Sequence, residues 1–449
     1  MTLVSGIRGG GKSRLIRRVL GDHRGLMYTC PPLPDAGVRA GLVAHIEQAP
    51  DAPSGEGRFP DHSGANWTVI FERVSAHGRP PDRPFILVLD DAHRLSEARS
   101  RFTSPLMEML SRRNREGLAP IHVVLAGQPQ GLPDPADLEP CFAETIDIGP
   151  LPLRSAVPLL PGSNAEERLL AYGVFGGIPR VLERLDRDVT TGTNVRRLML
   201  NPEGALADAA ADWLERDVQT PARYFAIMSA LSAGEADWAT VHAGVPDLTR
   251  SGQVAPYLAR LSELGLVTAR RSLDAAPAGR STRYALADPF LAFWFRFVPL
   301  LRFAPGIEAE SASYGRAVRP SLDDHLSSVF PEICRQHMRH DAIETLGANA
   351  REEGSLWGPG YEVPVAGLLA NGAAYYGATS WTPEERADSP VGRIESAMRE
   401  CRYGFGRERR LRLVFAGRAA PLWLRREIAR RQDAALIDAE ALVGEPTRA

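Results

Sequence analysis

The feature that most constrains the fold of this 449-residue chain is residues 6–13, GIRGGGKS, close to its amino terminus. The segment fits G-x-x-x-x-G-K-[ST], in which glycines let successive backbone N–H groups turn toward one anion. A short strand pattern, TLVS, precedes it, and an amphipathic helix pattern, SRLIRRVL, follows it. Strand, glycine-rich loop and helix together predict a phosphate site on a parallel α/β sheet, because the helix dipole favours an anion there.

Within this loop, the residue types predict separate roles in holding phosphates and Mg²⁺. The chain has 53 lysine and arginine residues, and Lys12 is the single lysine among them. Its compact ammonium reaches the β- and γ-phosphates, where a broad guanidinium would be too large. The Ser13 hydroxyl is expected to ligate magnesium. The predicted nucleotide-binding residues of the loop are Gly6, Ile7, Arg8, Gly9, Gly10, Gly11, Lys12, Ser13 and Arg14.

A second chemical element follows the apolar run of residues 85–89, which is typical of a buried parallel strand. Asp90 and Asp91 come directly after it, at the strand end where open α/β sheets bind ligands. Asp90 is predicted to join Ser13 in the magnesium shell through water. Asp91 is predicted to polarise the attacking water, which makes Asp91 and Lys12 the expected catalytic residues.

Two further residues are candidates for contact with the nucleotide. Gln128 follows the buried strand pattern of residues 121–127, where it would either contact the γ-phosphate or be a plain loop residue. Arg180 lies in a helix pattern after two glycines, FGGIPRVLERL. It would either reach back to the nucleotide or lie on the helix surface.

The middle of the chain has the order of a winged helix-turn-helix. Residues 221–234, 237–245 and 251–267 read as three helices, and residues 266–272 and 281–288 read as the two strands of a hairpin. Such a module either binds DNA or serves as a rigid arm or protein-docking module. The candidate contacts to DNA phosphates are Arg250, Arg260, Arg270, Arg271 and Arg283.

The chain resembles the archaeal-type ATPases of the signal-transduction ATPase (STAND) group, which are relatives of AAA+ proteins. The resemblance rests on GIRGGGKSRLI, ILVLDDAHRL, FGGIPR and YALADPFLAFWFRFV. It implies a P-loop ATPase core (1–150), a helical lid (151–218), a winged helix (219–300) and an α+β restriction-endonuclease-like domain (301–449). Such proteins usually carry an Arg-Glu element before the first strand, near the base, whereas this sequence starts at the strand. That support for adenine is expected to be missing or to lie upstream.

The last third is expected to keep a nuclease-like scaffold without its metal site. Residues 322–340 read as a helix, residues 360–381 as two strands, and residues 410–417 as a third strand. The resemblance places the catalytic acids and lysine at Pro364, Ala378 and Ser380, none of which can ligate magnesium. The domain is therefore predicted to have no nuclease activity and to bind a protein partner or pack within the molecule.

Bulk properties narrow the class of protein. The net charge is −2, and no apolar run reaches the length of a membrane span. Four cysteines lie far apart, at positions 30, 141, 334 and 401, which argues against zinc and against disulfides. Heavy use of arginine, alanine, glycine and proline is typical of a GC-rich bacterial genome. These features predict a cytoplasmic protein.

Two functions fit this sequence. The leading one is an ATP-binding, slowly hydrolysing switch that couples nucleotide state to a winged-helix arm and a C-terminal binding domain. Slow turnover is expected because no arginine finger is identifiable, and a second subunit of a homo-oligomer would be one source of it. The alternative is a DNA-binding regulator whose nucleotide site is mainly structural.

Overall fold

The structure is a computed structural model that describes most of the chain in two compact units, residues 1–149 and 150–449. None of the helices in the described residues is long and apolar enough to cross a membrane. The described ranges are 1–21, 23–49, 65–77, 84–129, 132–138, 144–218, 220–275, 282–302, 314–382 and 389–444.

The first unit is built on a parallel sheet whose strands run in the order β2-β3-β4-β1-β5. The first four strands were predicted from the sequence and are confirmed, whereas β5 was not predicted. The order places β4 between the strand before the glycine-rich loop and the strand that ends in Asp90. The strands are β1 (Thr2–Gly6), β2 (Gly25–Thr29), β3 (Phe85–Asp90), β4 (Ile121–Gly127) and β5 (Glu144–Ile148).

Helices cover this sheet, and alternate strand residues explain why. Leu87 and Leu89 of β3 belong to a large core with the helices α2, α3 and α5, whereas Val88 belongs to a smaller core with Ile16 of α1. Burial of both faces of the central strands matches their continuous apolar runs. The helices are α1 (Lys12–Leu20), α2 (Asp35–Glu47), α3 (Trp67–His77), α4 (His93–Glu97) and α5 (Thr103–Arg115).

The second unit begins with a group of short helices. The helix predicted over FGGIPRVLERL spans only Pro179–Leu182, because Gly176 has a positive φ of 63° and Pro179 starts the helix. The helices are α6 (Leu153–Ala156), α7 (Ala165–Phe175), α8 (Pro179–Leu182), α9 (Thr191–Val195) and α10 (Ala209–Asp217).

Next come three helices and a small antiparallel sheet of order β6-β8-β7. The third helix is shorter than predicted: residues 251–254 form a 3₁₀ turn, and the helix stops before Gly265, whose φ is 70°. The turn predicted between the last two strands lies outside the described residues. The elements are α11 (Pro221–Leu231), β6 (Ala236–Asp237), α12 (Trp238–Ala243), α13 (Ala255–Glu263), β7 (Val267–Arg271) and β8 (Thr282–Leu286).

The remainder is a second five-stranded sheet with helices around it, in the order β13-β12-β11-β10-β9. Its helix, hairpin and third strand were predicted, but β9 was missed and α15 runs on to Leu346, before Gly347 at φ 70°. The elements are α14 (Pro289–Arg302), α15 (Leu322–Leu346), β9 (Ala350–Gly358), β10 (Tyr361–Leu369), β11 (Ala374–Ser380), α16 (Pro390–Glu400), β12 (Arg410–Ala416), α17 (Leu422–Ala429), β13 (Ala434–Ile437) and α18 (Ala439–Val443).

Candidate functional site

The glycine-rich loop connects β1 to α1, and its backbone requires glycine at its two ends. Gly6 has φ 153°, and a β-carbon there would collide with the backbone of Ile148 on the neighbouring strand. Gly11, at φ 95°, lies in the left-handed region and caps α1. The first N–H groups of a helix have no partner within it, so the end of α1 offers donors to an anion.

Lys12 folds over the inside of this loop. Its ammonium donates hydrogen bonds to the carbonyl oxygens of Gly6 and Ile7, each at 2.8 Å, and the residue is 8% exposed. Burial lowers the pKa of Lys12, while the charges of Asp91 and Asp90 oppose that shift. The structure therefore brings the lysine of the loop and both predicted acids into one electrostatic environment.

Asp90 and Asp91 differ in their surroundings. Asp90 is 2% exposed at the end of β3, and its carboxylate accepts a hydrogen bond from the N–H of Asp91 at 3.1 Å. Asp91 has a positive φ of 53°, which is uncommon for a residue with a side chain. Its side chain is 40% exposed and lies 3.8 Å from the guanidinium of Arg94. A backbone outlier held at a sheet edge is a frequent mark of functional sites.

Gln128 lies directly after β4, between the loop strand and the Asp90 strand. It is 8% exposed, and its N–H donates to Nδ1 of His93 at 3.4 Å. His93 packs against Gly127, where a β-carbon would approach the imidazole to 2.9 Å. The carboxyl edge of the sheet thus gathers the loop, both acids and Gln128.

The donor set of this edge fits a nucleotide with a magnesium ion. Backbone donors and Lys12 suit phosphate oxygens, whereas the Ser13 hydroxyl and the Asp90 carboxylate are hard oxygen ligands of the kind that magnesium prefers. Arg14 lies on the exposed side of α1, and Arg8 adds positive charge near Lys12. Arg180 belongs to the second unit, on an exposed part of α8, and its role toward a nucleotide stays a prediction.

Three neighbours of the loop were missed in the sequence. The Ser5 hydroxyl donates to the Asp147 carboxylate on β5. His93 accepts the hydrogen bond from Gln128 N–H. Cys30 follows β2, and burial together with Asp91 and Asp90 raises the pKa of its thiol to about 12, so that it stays neutral. The alternating pattern of β5, ETIDI, was only a weak sign of a strand in the sequence. The contacts themselves depend on the order of the strands in the sheet.

The five arginines predicted to contact DNA have unequal surroundings. Arg270 donates to Glu235 at 2.7 Å and also pairs with Glu332, and its side chain is 16% exposed. Arg283 pairs with Glu362 at 2.7 Å and lies 4.7 Å from the ring centre of Trp357. These engagements argue against phosphate contacts by Arg270 and Arg283 in this conformation. Arg250 and Arg271 are exposed, and Arg260 lies 3.7 Å from Glu263.

The segment after β7 docks along β9. The N–H of Leu273 donates to the Ser355 carbonyl at 3.0 Å, and the N–H of Trp357 donates to the Ser272 hydroxyl at 3.0 Å. The Tyr361 hydroxyl donates to the Asp274 carboxylate at 2.6 Å. The small sheet and the large sheet of the second unit are therefore joined through main-chain and side-chain hydrogen bonds.

Two of the three expected nuclease positions line a cavity of about 400 Å³ between β10, β11 and α16. These two are Pro364 and Ala378, and Glu362 and Arg393 also line the cavity. Within the described part of the chain, no three His, Cys, Asp or Glu side chains form a group that could hold a metal ion. Cys30, Cys334 and Cys401 are free and buried, and Cys141 lies outside the described residues.

Comparison with known proteins bears on the first unit. Residues 1–134 match a protein family described as an AAA domain. Over these residues the first unit is similar to AAA domains. This match and the geometry of the loop, Lys12 and Asp90 agree on a nucleotide-binding core.

Individual relatives are distant from this chain. An uncharacterized protein of Methanocaldococcus jannaschii is 21% identical over 240 residues, and the match covers 50% of each chain. The chain thus spans about half the length of that relative.

Solved structures with similarity to the chain include the Walker-type ATPase of Pyrococcus abyssi (18% identity, TM-score 0.47, 66% of this chain and 90% of that chain). The ORC2 protein of Aeropyrum pernix in ADPNP–ADP complexes has 14% identity and a TM-score of 0.39, over 67% and 87% of the two chains. The ORC1 protein of Aeropyrum pernix in complex with DNA has 17% identity and a TM-score of 0.30, over 72% and 88%.

Proposed function

We propose that this protein binds ATP with Mg²⁺ at the loop of residues 6–13 and hydrolyses it slowly, as a nucleotide-dependent switch. The observation that carries the proposal is the grouping of Lys12, Asp90 and Asp91 at the carboxyl edge of the first sheet. Lys12 and the loop N–H groups hold the phosphates, and Ser13 with Asp90 holds the metal.

Asp91 is the residue proposed to polarise the attacking water. Its carboxylate is partly exposed at the strand end, whereas Asp90 is buried and suited to a metal shell. Removing a residue that assists proton transfer typically lowers the rate about 10² to 10⁴-fold. Asparagine tolerates the left-handed backbone that Asp91 adopts, so Asp91→Asn keeps the fold.

The test is ATP binding and turnover by the purified chain. Lys12→Ala is expected to abolish both, and Asp91→Asn is expected to keep ATP binding while lowering turnover at least about 100-fold. Arg17→Ala, an exposed residue on the same helix, is the matched control and leaves both unchanged. ATP turnover that survives in Lys12→Ala would contradict the proposal.

The switch part of the proposal concerns the second unit, where α11, α12, α13 and the strands β7 and β8 are proposed to form a winged helix. The order of these elements supports it. Nucleotide state would then be transmitted to this module and to the C-terminal sheet, which is proposed to be a nuclease-like scaffold without nuclease activity. Magnesium-dependent cleavage of DNA by the pure chain would overturn that last point.

A second candidate function is DNA binding with a structural nucleotide site, and the exposure of Arg250 and Arg271 favours it. Removing one arginine that neutralises a duplex phosphate lowers the slope of log affinity against log salt by about 0.9. Arg250→Gln and Arg271→Gln are expected to lower that slope, and Arg270→Gln is not expected to act through direct DNA binding. If all three variants bind duplex DNA as the parent does, this module does not contact DNA.

A further inference from the structure

The loop between α16 and β12, residues 401–409, holds one phenylalanine out into solvent. Phe405 is 84% exposed, and it lies between Gly404 and Gly406. These glycines have positive φ angles of 64° and 80°, and because they carry no side chain, no flanking side chain lies beside the ring. We call this segment the Phe405 loop. Single exposed apolar residues are common on protein surfaces, so a binding role for Phe405 depends on how the loop is held and on what surrounds it.

Hydrogen bonds fix the conformation of the Phe405 loop. The Tyr376 hydroxyl donates to the carbonyl of Tyr403, and the Tyr403 hydroxyl donates to Glu352. Two turns follow, in which Phe405 N–H donates to the Arg402 carbonyl and Arg407 N–H to the Gly404 carbonyl, each at 3.2 Å. A β-carbon on Gly404 would meet the Tyr376 hydroxyl at 2.5 Å. The ring is therefore presented by a preorganised loop, which lowers the entropy cost of binding a partner.

Positive charge is concentrated at the same edge of the sheet. β11, β12 and β13 are parallel, so the segments before β12 and β13 lie at one edge. The acids Glu395 and Asp433 are already paired there with Arg412 and Arg431. The exposed acids in or beside the loop are Glu352, which bonds Tyr403, Glu400 and Glu408. These acids are outnumbered by five exposed arginines, which are Arg399, Arg402, Arg407, Arg409 and Arg430.

We propose that the Phe405 loop binds single-stranded nucleic acid, with Phe405 stacking on a base and the surrounding arginines contacting phosphates. Aromatic stacking with a positive surface is the combination that non-specific single-strand binding uses. A duplex must be unstacked before Phe405 can contact a base face, whereas the bases of a single strand are already accessible. An interface with a protein partner would need an apolar centre on this surface. The exposed neighbours of Phe405 in the loop are instead glycine, arginine and glutamate.

The experiment measures binding of fluorescent 15-nucleotide dT and rU strands, and of a duplex of equal length, to the full chain by anisotropy. Phe405→Ala is expected to weaken single-strand binding about tenfold, and Phe405→Trp to retain it. Arg407→Gln with Arg409→Gln is expected to lower the salt slope by about 0.7 per arginine. Tighter binding of dT or of rU identifies which nucleic acid the loop prefers.

Two control variants separate this loop from other surfaces. Leu422→Ala removes an apolar side chain that is 71% exposed at the start of α17, and it leaves affinity unchanged. Arg250→Gln tests the module of α11 to β8 and also leaves single-strand affinity unchanged. Equal affinity of Phe405→Ala and the parent chain, stronger binding of the duplex, or dependence on Arg250 instead would each overturn the proposal. ATP turnover is independent of all three outcomes, so failure here leaves the proposed ATPase untouched.

Discussion

Lys12 is held inside the loop, where we expect a guanidinium to be too large to fit. Its ammonium bonds two loop carbonyls at 2.8 Å and is almost completely buried, whereas arginine is planar and larger. Lys12→Arg is therefore expected to abolish ATP binding although charge is kept, and to leave the melting temperature within a few degrees of the parent. Calorimetric titration with ATP and a thermal melt check both parts. Nucleotide affinity equal to the parent would show that charge alone suffices.

Asp288 is a buried carboxyl group in the second unit, and we expect it to make the stability of the protein depend on pH. Its oxygens accept hydrogen bonds from the N–H groups of Gly177 and Phe290, each at 2.9 Å. Burial raises the pKa of Asp288 from its ordinary 3.8 to about 7, against the effect of those hydrogen bonds. Because the folded pKa is the higher one, the stabilising contribution is full below pH 3.8 and is lost as the pH rises toward 7.

Asp288→Asn tests this effect, since the amide does not titrate but loses one acceptor toward Gly177. The variant is expected to be less stable than the parent at about pH 5.5, with the difference in unfolding free energy shrinking by about pH 8. Denaturant unfolding at the two pH values measures it. A difference that is constant or grows with pH would contradict the assigned pKa shift.

At the scale of elements, α15, β10 and the segment before β6 are tied together by a buried ionic group. Arg335, 2% exposed on α15, bonds Glu235, Glu332 and the carbonyl of Pro364. Arg335→Leu leaves the two carboxylates without this partner and is expected to cost about 3 kcal/mol of unfolding free energy. Exposed Arg250→Gln, the matched control, is expected to stay within about 0.5 kcal/mol. Equal stability of the two variants would mean that the ionic group contributes little.

Element prediction succeeded where one strong local signal decided the structure. The loop, Lys12, Asp90 and Asp91 followed from a motif with a strand before it and an apolar strand elsewhere, and the structure groups them. β5 was missed because its residues are mostly exposed, and β9 because AREEGSLWG lacks strict alternation. The contacts of His93 and Asp147 depend on the order of the strands in the sheet, which a single sequence does not specify.

Docking of elements also changed the set of DNA candidates. The sequence predicted that the arginines of the hairpin strands contact DNA phosphates. In the structure, Arg270 and Arg283 instead form ion pairs with carboxylates on α15 and β10. Such pairs are long-range and have no local sequence signal. A count of arginines in a hairpin therefore overestimates the number that face solvent, and of the five candidates Arg250 and Arg271 are exposed.

At the scale of the whole molecule, the switch and the structural-site alternatives differ in one measurable quantity, the coupling free energy between nucleotide and nucleic acid. A switch requires that ATP and ADP give different affinities for the nucleic acid, and about 5- to 150-fold is the usual range of such coupling. A structural nucleotide site requires equal affinities. The measurement is nucleic-acid binding by the full chain with ATP, with ADP and without nucleotide.

Thermodynamic linkage supplies the internal check on that measurement. If ATP changes the affinity for nucleic acid by some factor, then nucleic acid must change the affinity for ATP by the same factor. We expect a reciprocal factor of at least about fivefold in the parent chain, and none in Lys12→Ala, which retains the nucleic-acid surfaces but loses the nucleotide. A nucleotide effect that persists in Lys12→Ala would have to arise outside the loop of residues 6–13. Equal affinities in all nucleotide states would mean that the first unit has a structural role, and would favour the DNA-binding regulator over the switch.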